Sequence, residues 1–275
     1  MVDAQHIISL ERGERGMMDV ILITGGTTGL GLEVVKSFAK RGNNILLCTH
    51  HEERAHAVAN AISSSFGVKV FTLLADFRES SGPESVYEFC REKKLHVTTL
   101  VNSAAMGAYG DFSSSSSADN EKALQVNIVG FIDLTYLFLH DMLQAKSGHI
   151  INLISTAAFQ PGPHMAVYYA SQSFLLSFSQ GLAAELKGTG VTCTAFVHGP
   201  IEGGLVVSGG FENAKIIKKL KLFTAPVVAE KVYELANRGD PLFVMGQQNK
   251  VNSFIARILP RRTVIKTMDR LGKVD

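Results

Sequence analysis

The sequence has no cysteine pair at metal-binding or redox spacing, no long uninterrupted apolar run and no marked excess of either charge. Its three cysteines, Cys48, Cys90 and Cys193, are scattered and odd in number. This excludes a disulfide framework or a CxxC motif and predicts buried free thiols in a reducing, cytoplasmic setting. No apolar run approaches the roughly 18–20 residues that a bilayer-spanning helix needs. The opening stretch MVDAQHIISLERGERG is charged where a secretory signal would be apolar, so residues 1–18 read as a tail. A net charge of +2 over 275 residues gives no electrostatic footprint for nucleic acid.

What is present is a globular composition, 46% hydrophobic against 19% charged, which can bury a core without a metal or cross-link. Strand and helix patterns alternate from residue 19 onward. Continuous apolar runs at 20–24 (VILIT), 44–48 (NILLC), 69–75, 98–102, 149–154, 191–197 and 242–245 suit strands buried on both faces. Helical spacing occupies about 30–40, 52–63, 83–93, 120–142 and 168–186, with a serine run at 113–117 before the fourth of these. With no fixed-period repeat and no long linker, this predicts one α/β domain, a doubly wound and mostly parallel sheet flanked by helices, over 19–250. Residues 201–224, rich in glycine and lysine, fall over the carboxyl edge of that sheet, where a lid would lie. Residues 251–275 read as a basic amphipathic tail. Its charges, among them Arg257, Arg261, Arg262, Lys266 and Arg270, read first as a solvated face and only second as a membrane contact.

The most specific local signal is Thr24-Gly25-Gly26-Thr27-Thr28-Gly29-Leu30-Gly31, placed between the first strand and the first helix. Glycines let backbone approach a pyrophosphate, and the helix start offers free N–H groups and partial positive charge. This predicts a nucleotide site that uses Gly25, Thr27, Thr28, Gly29, Leu30 and Gly31.

The TGxxxGxG form of that loop resembles the short-chain dehydrogenase/reductase family, a Rossmann-fold family, and further marks follow in order across 19–246. They are Asp76-Phe77, Asn102-Ser103-Ala104-Ala105, Asn127, Ser155, and Tyr168 thirteen residues after that serine. The resemblance implies hydride transfer between a nicotinamide and a small or apolar carbonyl or alcohol. It implies Tyr168 as proton donor or acceptor, Ser155 as second hydrogen bond to the reacting oxygen, and Asn127 as the catalytic asparagine. It also implies that Asp76 and Phe77 meet the adenine, that Asn102, Ser103 and Ala104 line the cofactor, and that Gly199 and Ile201 reach the carboxamide. By the same resemblance the long helices at 120–142 and 168–186 imply a homodimer or homotetramer.

Two departures stand out. The family places lysine four residues after the tyrosine, where its charge favours the phenolate and holds the ribose; here the residue is Gln172. An amide keeps the hydrogen-bonding capacity for cofactor and site but loses about 3–4 kcal/mol of phenolate stabilisation. The rate loss this predicts is on the order of a hundred- to ten-thousand-fold, smaller for reduction, because a neutral tyrosine can already donate. The turn after the sixth strand reads His198-Gly199-Pro200-Ile201-Glu202-Gly203, without the family's threonines. His198 is a candidate to replace the missing cation or relay a proton, against the plainer reading of a tolerated histidine. After the second strand no acid precedes Glu52, and His50 stands where related reductases often carry arginine, which favours NADP(H) over NAD(H). Phe159, Met165, Tyr169 and the lid suggest an apolar substrate wall. The alternatives to a reductase are a nucleotide-binding pseudoenzyme with a scaffold or sensor role, or non-redox chemistry on the same fold.

Overall fold

A computed structural model describes residues 16–220, 222–236 and 238–274. Seven strands form one all-parallel sheet: β1 (Met18–Thr24), β2 (Ile45–Thr49), β3 (Val70–Leu74), β4 (Leu95–Asn102), β5 (Gly148–Ser155), β6 (Val191–His198) and β7 (Leu242–Val244). Their spatial order is β3-β2-β1-β4-β5-β6-β7. The order reverses between β1 and β4, which opens a crevice at the carboxyl ends of those two strands.

The reason lies in the strand sequences. Along β1, Ile21 and Ile23 enter one hydrophobic cluster while Val20 and Leu22 enter the other. Period-two alternation with both sets apolar leaves two faces to cover. One is covered by α1 (Gly29–Ala39) and α9 (Ala225–Ala236), through Val34, Val35, Phe38, Val228 and Val232. The other takes α3 (Gly82–Glu92), α5 (Gly130–Ala145) and α6 (Ala166–Glu185), through Val86, Leu134, Phe138, Met142 and Leu182. On the outer edge, α2 (Glu52–Phe66) packs beside β2 and β3. All three cysteines are free and buried, as expected, and burial pushes their thiols up.

Several elements differ from the sequence expectation. The predicted helix at 120–142 is α4 (Ser117–Leu124), one wide π turn (Gln125–Val129) and then α5. Part of the serine run becomes a cap, Ser116 Oγ accepting from the Asp119 amide at 3.3 Å. The continuous stretch 117–145 is long and apolar enough to cross a membrane by length and composition; here Phe131, Leu134, Phe138 and Met142 bury it against the protein. The lid contains two short helices, α7 (Gly204–Ser208) and α8 (Lys215–Lys219).

The C-terminal residues are not a tail. They form α10 (Gln247–Ile258), directly after β7, and α11 (Arg261–Gly272). Val264 and Met268, four apart, are both buried, and α11 packs against α8. A bridge between Ala214 and Val274 closes this lobe. The domain boundary expected at 250 is therefore absent: helical pairing of apolar residues, hidden among charges in sequence, docks this segment on the lid.

A charged clamp fastens α1 to α9. Glu230 accepts from Arg41 Nη2 at 2.6 Å, from Ser37 Oγ at 3.1 Å and from Lys40. These donors, Arg41 foremost, hold its carboxyl down at about 2. A depressed acid stabilises the fold above its unfolded value and loses that contribution as pH falls toward the folded one. The clamp is partly exposed, so Glu230→Gln should cost only about 0.5–1 kcal/mol at neutral pH. In thermal melts the gap between Glu230→Gln and wild type should close as pH falls from about 5 toward about 2; a gap that does not change with pH would contradict the assignment.

Candidate active site

At the strand-order reversal the carboxyl ends of β1 and β4 are tied by one hydroxyl. Thr24 Oγ1 accepts from the amides of Ser103 at 2.9 Å and Ala104 at 3.0 Å. This brings the glycine loop against the β4 loop so closely that only glycine fits. Gly25 has φ +67°, and a Cβ there would lie 3.1 Å from the Ala104 Cα. A Cβ on Gly31 would lie 2.3 Å from the Gly25 carbonyl oxygen. The first turn of α1 carries no acidic residue, and Thr28 at its N-cap makes no capping bond with its side chain. The hydroxyl and the helix-start amides therefore face the cleft uncommitted, which suits a pyrophosphate.

The cleft has a volume of about 790 Å³, within the usual range for ligand sites. It is lined by Gly25, Thr27, Thr28, Gly29, Leu30 and Gly31 at the loop, by His50, Asp76 and Phe77 at one end, and by Ser155, Tyr168, Gln172, Gly199 and Ile201 at the other. Ser103 and Ala104 lie between. Two expected residues do not line it. Asn102 is buried within the sheet, where its Nδ2 donates to Asn152 Oδ1 at 2.9 Å, and Asn152 in turn donates to Ser179 Oγ at 2.8 Å. Asn127, in the π turn, clasps Met106: it accepts from that residue's amide at 2.8 Å and donates to its carbonyl at 2.7 Å. Its Nδ2 also reaches Ser171 Oγ at 3.1 Å. Both asparagines brace the walls from behind.

At the adenine end β2 terminates without a carboxylate. Thr49 Oγ1 accepts from the His51 amide at 3.2 Å and meets Thr27 Oγ1 at 3.3 Å. The rings of His50 and His51 are 3.9 Å apart. Burial, then His51 and Arg78, lower the His50 pKa, so His50 is neutral at neutral pH and supplies no fixed charge. The cation here is Arg78, which sequence reasoning missed. Its Nε donates to both oxygens of Asp76, at 2.8 and 2.9 Å. The signal was present as a basic residue two positions after Asp76.

At the nicotinamide end, cross-strand pairing puts Ser155 of β5 opposite His198 of β6. Ser155 also starts the short turn Thr156–Phe159, its Oγ accepting from the Ala157 amide at 3.2 Å. The Tyr168 hydroxyl is pushed up to about 12 by burial, offset in part by a hydrogen bond with Ser155. Gln172 is 3% exposed, and its Oε1 accepts from the Ser155 amide at 2.7 Å. Its Nε2 has no partner among the described residues. Burial lowers the His198 pKa, which weighs against its acting as a replacement cation, and its Nδ1 lies 2.8 Å from the Gly199 carbonyl, to which Nδ1–H donates.

The far wall is apolar. Phe159, Met165, Tyr169 and the lid residues Leu205, Phe211 and Ile217 line it as expected. So do Ile255 and Leu259 of the α10 segment and Met268 and Leu271 of α11, none of which sequence reasoning placed there. His164, with φ +66° and a buried Nε2 that makes no hydrogen bond among the described residues, stands at this rim. Its Nδ1 is 2.7 Å from Asp111 and its Nε2 is 3.4 Å from Asp269 of α11.

The family model described as short chain dehydrogenase matches residues 19–209. The chain belongs to the short-chain dehydrogenase family. A curated relative, sulfoacetaldehyde reductase 2 of Chromohalobacter salexigens, is 34% identical over 223 residues, 80% of this chain and 87% of that protein. Among solved structures, a 7beta-hydroxysteroid dehydrogenase superposes with TM-score 0.81 at 21% identity, covering 92% of this chain and 97% of the other. A short-chain dehydrogenase from Sphingobium yanoikuyae in complex with NADPH gives 0.78 at 22%, covering 90% and 95%. The structural likenesses concern the fold. With the family match and the curated relative, this short-chain dehydrogenase is an NAD(P)-dependent oxidoreductase.

The Gln172–Ser155 bond makes a stability test. Gln172→Lys sets an ammonium against the Ser155 N–H, two donors facing, and leaves the amide unsatisfied. Loss of a buried partner costs about 1–3 kcal/mol, so thermal melting should fall by several degrees, and Gln172→Glu, which keeps the acceptor, should fall less. Equal melting of wild type and Gln172→Lys would show that the bond carries no stability.

Proposed function

We propose that this short-chain dehydrogenase is an NADP(H)-dependent carbonyl reductase that favours the reductive direction on an apolar or aromatic carbonyl compound. The observation that carries the reading is a neutral Tyr168 beside Ser155, with Gln172 committed to the serine amide where a cation would otherwise act. A nicotinamide, when bound, supplies or accepts the hydride. Ser155 Oγ–H donates to the carbonyl oxygen, and Tyr168 O–H gives its proton to that oxygen as the C–O bond becomes single. Reduction needs the protonated tyrosine, which a hydroxyl held near 12 provides at all ordinary pH values. Oxidation needs the phenolate, which no charge at this end stabilises.

The cofactor reading follows the charge distribution. Arg78, the only fixed cation on the cleft wall among the described residues, stands at the adenine end with His50, His51 and Thr28, and no carboxylate ends β2 to hold a ribose diol. This favours a 2′-phosphate. The NADPH bound by the Sphingobium yanoikuyae protein supports the same choice. Phe77 would face the adenine, Ser103 and Ala104 the central cofactor, the Gln172 amide a ribose hydroxyl, and the Gly199 and Ile201 backbone the carboxamide. The unpaired thiols favour a cytoplasmic setting. Tyr136, Leu143 and Phe174 lie exposed on the outer faces of α5 and α6 and favour a homo-oligomer built there.

Three measurements test this. Arg78→Ala should weaken NADPH roughly tenfold or more while changing NADH little, in line with the loss of a charged phosphate contact; equal loss for both cofactors would refute the 2′-phosphate role. In the pH profile, ketone reduction should stay flat from about 6 to 9, whereas alcohol oxidation should climb about tenfold per pH step through about 9–11. Tyr168→Phe should cut both by roughly a hundredfold or more with cofactor binding intact. Nucleotide binding without turnover of any ketone would favour the pseudoenzyme instead.

A further inference from the structure

α10 has an apolar stripe on the wrong side for a core. Val251, Phe254, Ile255 and Ile258 recur at helical spacing, and they are 54%, 62%, 40% and 64% exposed. Leu259 continues the stripe into the turn before α11. The helix is nonetheless ordered from its other face, where buried Asn249 donates to the Met245 carbonyl at 2.7 Å and Arg257 lies over the Phe159 ring at 5.5 Å. The stripe is therefore surplus to folding.

Its chemical surroundings are one-sided. From Pro241 to Met268 the chain holds no Asp or Glu, but it does hold Lys250, Arg257, Arg261, Arg262 and Lys266. Arg261, Arg262 and Lys266 are exposed and make no ion pair among the described residues. Nearby, Lys231 pairs with Glu234 and Lys273 with Asp269. An unneutralised basic cluster beside an exposed apolar stripe has two complements: a surface that is apolar below and anionic above, or a partner shaped to match. A second copy of this stripe fits poorly, because symmetric pairing would press like charges together.

We propose that α10 and the start of α11 form a peripheral docking surface for an anionic lipid bilayer, with Phe254 and Ile258 entering the acyl boundary and Arg261, Arg262 and Lys266 at the headgroups. The mouth of the cleft shares these helices: Ile255 and Leu259 belong both to the stripe and to the cavity wall. Docking in this pose turns the apolar end of the cleft toward the membrane, where lipophilic carbonyl compounds concentrate. The docking claim stands independently of the redox reading, since it concerns binding alone.

The test is vesicle co-sedimentation of the full chain. Phosphatidylcholine vesicles containing roughly a third phosphatidylserine should retain it at low salt, phosphatidylcholine alone should not, and about 0.5 M salt should release a large part. Phe254→Asp with Ile258→Asp removes two insertion anchors that do not line the cleft, and should weaken retention at least about tenfold. Melting temperature and NADPH binding of this variant should match wild type. Arg261→Glu with Arg262→Glu changes charge alone on exposed positions and should abolish the preference for phosphatidylserine. The proposal is overturned by no retention above phosphatidylcholine alone, by retention that neither variant reduces, or by a variant that shrinks the assembly in sedimentation velocity while the wild type ignores vesicles. The last outcome would make the stripe a contact between copies.

Discussion

One threonine hydroxyl closes the point on which the site depends. Thr24 Oγ1 accepts from two successive amides of the β4 loop, and thereby joins the two strands between which the strand order reverses. Parallel strands have no short turns to connect them, so their loops diverge here and leave a crevice. The β1–β4 ladder ends at Ile23 and Val101, and the hydroxyl carries the contact one step further. With it, the glycine loop and the β4 loop approach until side chains are excluded, and the helix start of α1 presents its amides into the space that remains. The residues at both ends of the cleft are then placed by strand register and by α6.

The electrostatics of the cleft are lopsided. The adenine end has an arginine, held in place by Asp76 rather than neutralised by burial. The nicotinamide end has a buried amide, a neutral histidine and a tyrosine whose proton is held tightly. The histidine and the tyrosine share one cause. Burial penalises every charged form, and with no lysine to compensate, each group settles in its neutral state. Gln172 is thus more than a missing charge. It turns its oxygen toward the Ser155 amide, a bond that an ammonium could not accept, and so the substitution also alters how the serine is held.

The apolar end belongs to a lobe assembled from segments distant in the chain. The lid helices, the turn after β5 and the two C-terminal helices meet around the apolar end of the cleft, where His164 Nδ1 hydrogen-bonds to Asp111 at 2.7 Å. This lobe is more charged and less deeply packed than the sheet. Its outer face carries both the basic cluster and the apolar stripe of α10, so the lobe that walls the apolar end of the cleft is also the one that exposes the stripe.

The sheet and the glycine loop were legible in the sequence because their signals are local, and the Ser155–Tyr168 pair through the resemblance to the family's spacing. Apolar strand runs and a loop between strand and helix need no knowledge of distant contacts. The role of Gln172 was half legible: the lost charge followed from residue type, but the bond to Ser155 needed β5 and α6 in register. That Asn102 and Asn127 stand behind the cleft wall rather than in it was not legible, because only packing decides which way a side chain near a site points. Arg78 went unnoticed since nothing local says that a residue after a strand end will line the cleft. The C-terminal helices are the clearest case. Val264 and Met268 carry the same helical signature as Phe254 and Ile258, and one pair is buried while the other lies open. Periodicity tells that a face is apolar; which face finds a partner is set by what the rest of the chain brings alongside, and that is a property of the tertiary structure alone.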